Sequence, residues 1–229
     1  MEDKLKERLD NIQLEIDNVA KRANRDINDI KLLAVSKNHS IEKIKFLKKL
    51  GISTFGESRV QELLEKNEKI SNIKWHFIGH LQRNKVKYLM RMDNLVLIHS
   101  LDSWRLAKEI NKRAANNNRN MDLLLQVNVV NEKSKYGIEL GEVYDFLRDA
   151  TELKQINIIG LMTLAPYDAK KYELHKIFRE LANKRQEMQN KNFDLKELSM
   201  GMSNDYQIAI EEGSTIVRIG SKLFGKRGG

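Results

Sequence analysis

The feature that most constrains the fold is a regular alternation of short apolar or β-branched runs with longer segments of helical periodicity. There are eight such runs, and each one except the last precedes a helical stretch. The order strand–helix–strand predicts parallel βαβ units, because parallel strands need a crossover connection. The runs cover residues 31–37, 52–57, 75–80, 95–100, 122–129, 156–164, 197–202 and 215–220.

The number of βαβ units and the chain length together indicate the type of fold. Eight units in 229 residues fit an α/β fold of the closed (β/α)8 (TIM) barrel type better than a doubly wound sheet, which stays an alternative. Runs such as INIIGLMTL are almost continuously apolar, as expected for strands that are covered on both faces. We predict a single domain, with a helix over about residues 3–24 within an N-terminal segment 1–28, a barrel over 29–226 and a tail at 227–229.

Composition excludes several kinds of chemistry. The chain has no cysteine, which excludes a disulfide scaffold, a thiol nucleophile and a cysteine-ligated metal. Without a signal-peptide or membrane-span pattern, we expect a cytoplasmic protein with no membrane partner. The net charge of +9 comes mostly from lysines that lie beside acids on helix faces. We therefore predict no nucleic-acid partner, although a nucleic-acid-binding module is an alternative.

Lys37 is the first candidate for chemistry. Active sites of such barrels lie at the carboxyl ends of the strands, and Lys37 ends the first run. Partial burial there favours the neutral amine, which can form a Schiff base with a carbonyl compound. A solvated loop lysine is the alternative interpretation.

The segments that follow the last two runs suggest a phosphate site. Loops after strands seven and eight often bind phosphate in these barrels. Gly201 and Gly220 allow close approach of the backbone, Ser203 offers a hydroxyl, and Arg218 supplies a positive charge. Alternatively, the glycines only make turns and Arg218 pairs with an acid. An amine beside a phosphate site suits pyridoxal 5'-phosphate (PLP), or a class I aldolase of a phosphorylated sugar.

Several motifs together resemble the pyridoxal phosphate homeostasis protein family. They are LLAVSK, FGESRVQE, WHFIGHLQRNK, HSLDS, NEKSKYGI, GLMTLAP, LSMGMSNDYQIAIEEGST and VRIGSKLFG, and the resemblance extends over residues 30–226. It implies a single-domain barrel like the barrel domain of alanine racemase, with PLP as the cofactor.

The resemblance also implies roles for individual residues. Lys37 would form the Schiff base, Arg218 and Gly220 would contact the phosphate, and Lys135 would take part in cofactor handling. Ser58 stands where the family usually has asparagine, so its cofactor contact would be shorter or lost. Asn38 and His39 replace the usual threonine and lysine after the cofactor lysine. Further phosphate contacts would come from the SMGMS segment: Ser199, Met200, Gly201, Met202 and Ser203.

Other polar residues are weaker candidates. His76 and His80 are four residues apart and would face the same side of a strand, but no third ligand is evident, so we predict no metal site. His80 would contact the cofactor or make a structural hydrogen bond. Glu57 would act as an acid–base group or would anchor Arg59 and Arg83.

The expected function is cofactor binding with little or no turnover. Racemisation needs two bases, and alanine racemase takes the second from a further domain of the partner subunit. The sequence leaves no room for that domain after the last run, so we expect an open site and a monomer. We predict a protein that carries and buffers PLP for PLP-dependent apoenzymes. A PLP-dependent amino-acid racemase-like enzyme is the alternative.

Overall fold

The computed structural model describes residues 2–130 and 136–225. Lys135 and the predicted tail at 227–229 lie outside the described residues. Within the described ranges, parallel strands and helices alternate along the chain as predicted. The strands are β1 (Lys31–Val35), β2 (Thr54–Glu57), β3 (Lys74–Phe77), β4 (Leu95–Leu101), β5 (Met121–Asn128), β6 (Ile138–Glu139), β7 (Ile156–Met162), β8 (Glu197–Met202) and β9 (Ile216–Ile219).

The strands close into a barrel. The order around the barrel is β1, β2, β3, β4, β5, β7, β8 and β9, with β9 pairing in parallel with β1 and β4 with β5. This confirms the (β/α)8 barrel and excludes the doubly wound sheet. Each of the eight predicted runs overlaps one barrel strand. The two-residue strand β6, which adds to β5, was not predicted.

Helices connect the strands and cover the barrel. They are α1 (Glu2–Arg22), α2 (Ile41–Lys49), α3 (Val60–Lys69), α4 (Val86–Leu89), α5 (Trp104–Asn116), α6 (Val143–Ala150), α7 (Lys171–Asn190), α8 (Tyr206–Glu211) and α9 (Ser221–Phe224). The N-terminal helix was predicted, but the short α9 after the last strand was not. No helix among the described residues has the length and apolar character that crossing a membrane requires.

Two hydrophobic cores hold these layers together. The larger core lies between the strands and the helices, and the apolar stripe of α1 joins it through Leu5, Leu9, Ile12 and Ile16. The helix α1 packs against α8 and α9, which flank the last two barrel strands. The smaller core contains Leu33, Leu97, Leu124, Met162 and Ile216. These residues come from five different strands, as expected for the side chains that fill a barrel.

Candidate functional site

Lys37 lies at the carboxyl end of the barrel, two residues after β1. Along β1, Leu33 belongs to the small core and Ala34 to the large one, so alternate side chains face opposite sides of the barrel wall. Ser36 continues this alternation onto the helix side, where Lys66 of α3 contacts it, and Lys37 lies in the turn that follows. Lys37 is half-buried. The backbone of this lysine therefore lies at the end of the barrel where we predicted it, and its contact with a cofactor stays a prediction.

A cluster of charged side chains holds the segment that carries Lys37. We call Glu57, Glu62 and Lys66 the Glu57–Glu62–Lys66 cluster. The Lys66 ammonium donates to Glu57 Oε1 (2.6 Å), to Glu62 Oε1 (2.7 Å) and to the carbonyl of Ser36 (2.7 Å). The Ser36 hydroxyl also donates to Glu57 Oε1, at 2.7 Å. The cluster thus joins β2 and α3 to the end of β1.

Glu57 is the most buried member of this cluster, with a fully buried side chain. Burial raises the pKa of its carboxyl group, and the Lys66 ammonium opposes that rise. The predicted anchoring of Arg59 and Arg83 by Glu57 is wrong. Because Glu57 faces the helix layer, its partners come from β1 and α3.

The loops after β8 and β9 approach each other at the same end of the barrel. The hydroxyl of Ser203 accepts hydrogen bonds from the backbone N–H groups of Gly220 and Lys222, both at 3.3 Å. Gly220 in turn lies against the end of β1, since a Cβ added to it would be 3.3 Å from the Val35 carbonyl oxygen. The two loops and the Lys37 segment are therefore neighbours.

These two loops carry backbone donors that suit an anion. In the described part of the chain, the N–H groups of Ser203, Asn204 and Ser221 have no hydrogen-bond acceptor. Gly201 has a φ of +91°, which favours glycine and lets α8 pack closely against this loop. Unsatisfied backbone amides in adjoining loops form a suitable site for a phosphate group. The residues present thus fit the phosphate of PLP.

A chain of hydrogen bonds crosses the barrel interior below these loops. Arg218, only 4% exposed, donates through Nη1 to Ser199 Oγ (2.6 Å) and through Nη2 to the Thr163 carbonyl (2.9 Å). Ser199 Oγ is 2.8 Å from His99 Nδ1, and His99 Nε2 is 2.8 Å from His76 Nδ1. We call His76, His99, Ser199 and Arg218 the interior hydrogen-bond chain.

The direction of this chain follows from Arg218, which can only donate. If the Ser199 hydroxyl donates onward to His99 Nδ1, then His99 carries its proton on Nε2 and donates to His76 Nδ1. The reverse direction would leave the Ser199 hydroxyl hydrogen without an acceptor among the described residues. The interior hydrogen-bond chain therefore runs from the arginine towards His76.

Burial keeps the two histidines neutral, as this direction requires. Burial lowers the pKa of His76 to about 3 and lowers the pKa of His99 well below its ordinary value. Burial also lowers the pKa of Arg218 to about 10, and the Asp205 carboxylate opposes this shift. Arg218 thus remains a cation at neutral pH and is the positive end of the chain.

The remaining predicted site residues occupy different environments. The Met200 side chain is completely buried in the large core, so only its backbone can face a ligand. Ser199 is also completely buried, inside the barrel. Met202 and Ser58 are half-buried at the mouth. Beside Ser58, the chain approaches so closely that a Cβ on Gly79 would be 2.1 Å from the Ser58 carbonyl oxygen.

His80 makes a structural hydrogen bond and a ring stack at the mouth. Its Nδ1 is 3.0 Å from Asp102 Oδ2, and its ring stacks on Tyr136 with centroids 3.8 Å apart. Because β3 ends at Phe77, the prediction that His76 and His80 face one side of a strand is wrong. No group of three or more His, Asp or Glu side chains in the described ranges could hold a metal ion.

Three residues of these networks were not predicted from the sequence: His99, Glu62 and Lys66. His99 lies inside the apolar run LVLIHS, where a polar side chain is the only sign of an interior partner. Lys66 is four residues from Glu62 on α3, a spacing that equally fits a solvated ion pair on a helix surface.

Known proteins resemble this chain along nearly its whole length. The family model "Alanine racemase, N-terminal domain" matches residues 8–228. The pyridoxal phosphate homeostasis protein of Aquifex aeolicus is 46% identical over 224 residues, covering 96% of this chain and 97% of that protein. The structure of PipY from Synechococcus elongatus with PLP bound is 33% identical and has a TM-score of 0.80, covering 92% of this chain and 100% of PipY.

An alanine racemase of Clostridium difficile shows the same fold at lower identity. Its TM-score is 0.73 at 17% identity, and the match covers 96% of this chain and 55% of the racemase. This likeness concerns the barrel alone. On the near full-length relatives and the family model, the chain belongs to the pyridoxal phosphate homeostasis protein family.

Proposed function

We propose that this protein binds PLP through a Schiff base on Lys37 and buffers the cofactor for PLP-dependent apoenzymes. The observation that carries the proposal is the adjacency of the half-buried Lys37 segment to two loops with unsatisfied backbone amides. Its relative PipY has a solved structure with PLP bound. When bound, PLP supplies a reactive aldehyde and an electron-accepting ring.

Different residues of this chain would bind the phosphate and supply the positive charge beside it. The N–H groups of Ser203, Asn204 and Ser221 would hold the phosphate, and the Ser203 hydroxyl keeps their two loops together. Arg218 places a positive charge below the loops. Two of its five N–H groups bind Ser199 and Thr163, so others are left for a ligand.

A carrier role, with little or no turnover, agrees with the relatives, which are named for homeostasis of the cofactor. We further propose that the protein acts as a monomer with an open barrel mouth. His80 lies at this mouth, where its hydrogen bond to Asp102 holds its ring in place. The racemase-like alternative would need a second base there.

The test of binding is an absorbance spectrum of the protein with PLP, before and after borohydride, followed by peptide mass mapping. We expect the reduced adduct on Lys37, and we expect Lys37→Ala to fold but to lose the adduct. Lys31→Ala is the matched control, because Lys31 lies at the opposite end of the same strand. A wild-type adduct on other lysines only, or none, would refute the Schiff base on Lys37.

A second experiment separates the carrier from the racemase alternative. Amino acids are incubated with the loaded protein in deuterium oxide, and exchange at the α-carbon is followed by NMR. A carrier gives exchange no faster than free PLP. Faster exchange that disappears in Lys37→Ala would support the racemase-like alternative instead.

A further inference from the structure

The segment around Lys37 is held on both of its sides by the Glu57–Glu62–Lys66 cluster. Before Lys37, the Ser36 carbonyl accepts from Lys66 and the Ser36 hydroxyl donates to Glu57. After Lys37, the backbone N–H of Asn38 donates to Glu62 Oε1 at 2.6 Å. The two neighbours of the cofactor lysine are therefore fixed to one cluster of side chains.

Lys66 connects the two sides of this arrangement. Its side chain is only 8% exposed, and its three N–H donors are taken by Ser36, Glu57 and Glu62. Such an ammonium has no spare donor and little access to bulk water, so it fixes the distances between its three acceptors. Through it, a change at Glu62 is transmitted to both sides of Lys37.

The conformation of Asn38 adds a second reason why the segment needs support. Its φ is +60°, in the left-handed region, which asparagine tolerates better than most residues but still at a cost. Because the N–H of Asn38 donates to the Glu62 carboxylate, this charge-assisted bond stabilises the strained turn directly after Lys37.

We propose that Lys66 and Glu62 are positioning residues that set the direction in which the Lys37 amine enters the barrel mouth. The inference rests on the proposed role of Lys37 in cofactor binding. Helix α3, which carries both residues, would thus orient the cofactor lysine. Neither residue needs to touch the cofactor, because both act through the backbone of Ser36 and Asn38.

The sharpest test is Glu62→Ala, which removes the acceptor for Asn38 without leaving a buried charge unpaired, since Lys66 keeps Glu57. Glu65→Ala is the matched control, because it makes the same change on an exposed position of the same helix. A second variant, Glu57→Gln with Lys66→Met, removes the buried ion pair while keeping side-chain volume.

Two measurements on the apo protein report on position. Amide hydrogen exchange follows the N–H of Asn38, and mass spectrometry follows acylation of Lys37 by an amine-directed reagent. In Glu62→Ala we expect at least tenfold faster exchange at Asn38 and at least a twofold change in the Lys37 acylation rate. PLP affinity should weaken by about tenfold, the equivalent of one charge-assisted hydrogen bond. Glu65→Ala should match the wild type in all three.

The outcomes separate this inference from the proposed function. If Asn38 exchanges faster but Lys37 acylation stays at the wild-type rate, Glu62 does not position Lys37 and the inference is overturned. Unchanged exchange at Asn38 would overturn it as well. If the wild type fails to bind PLP, the proposed function fails, while the two apo measurements still decide the role of the cluster. The double variant should fold and should also change the acylation rate; a wild-type rate in it would exclude Lys66 as a positioning residue.

Discussion

Gly201 provides a sharp test of how the loop after β8 is built. Its φ of +91° is a conformation that a residue with a Cβ adopts at a cost of about 1–2 kcal/mol. A Cβ there would also lie 2.5 Å from the Cβ of Ala209 and 2.8 Å from the Cα of Tyr206, which forces α8 to move. Overpacking of this kind costs about 1–3 kcal/mol. We therefore expect Gly201→Ala to lower the free energy of unfolding by about 2–5 kcal/mol in total.

Gly213 supplies the matched control, because it shares the conformation but not the crowding. Its φ is +96°, and no heavy atom outside its own chain neighbours lies within 4 Å of an added Cβ. Gly213→Ala should therefore show the conformational cost alone, about 1–2 kcal/mol. Urea unfolding followed by circular dichroism measures both variants. Equal destabilisation by the two substitutions would refute the contact of Gly201 with α8.

The same substitution tests the proposed phosphate site. Movement of the 201–203 segment displaces the N–H groups of Ser203 and Asn204, so Gly201→Ala should bind PLP more weakly than the wild type at a urea-free, fully folded condition. Gly213→Ala, which lies at the far end of α8, should bind like the wild type. A Gly201→Ala protein that binds PLP normally would show that these amides do not hold the phosphate.

The interior hydrogen-bond chain yields two further predictions. Ser199→Ala removes the hydroxyl between His99 and Arg218 and leaves buried donors and acceptors unpaired. The free energy of unfolding, measured in urea, should fall by about 1–3 kcal/mol. Wild-type stability would contradict the bridging role of Ser199. His76 has a folded pKa of about 3 against 6.5 for an ordinary histidine, so the unfolded chain takes up its proton first as the pH falls. The wild type should thus lose up to about 1.4 kcal/mol per pH unit between pH 6.5 and 3 from this residue. His76→Asn keeps an acceptor and should show a shallower loss of stability between pH 7 and 5; parallel curves for the two proteins would refute the shift.

The barrel could be predicted from the sequence because its strands obey a strong local rule. A strand covered on both faces must be apolar along its length, and runs such as 122–129 and 156–164 show this directly. Strand β6 has only two residues and no apolar pattern, so nothing in the sequence distinguishes it from a loop. The four-residue helix α9 is similarly too short to produce a helical period.

Side-chain partners were less predictable, because they depend on which face of the barrel wall a residue occupies. Glu57 was expected to act as an acid–base group or to anchor Arg59 and Arg83, two basic residues that follow it in the sequence. Its actual partners, Ser36 and Lys66, are 21 and 9 residues away. A one-residue change of register at β2 would exchange the two faces, so sequence alone does not determine the pairing.

The two polar networks lie on opposite sides of the barrel wall and fix different parts of the site. The Glu57–Glu62–Lys66 cluster lies between the strands and α3 and holds the backbone on both sides of Lys37. The interior hydrogen-bond chain holds the Arg218 guanidinium below the loops after β8 and β9. Because no residue belongs to both networks, their effects on ligand binding should add when both are disrupted, as expected for independent sites. Additive losses of PLP affinity in a Glu62→Ala, Ser199→Ala double variant would therefore follow from the separation of the two networks by the barrel wall.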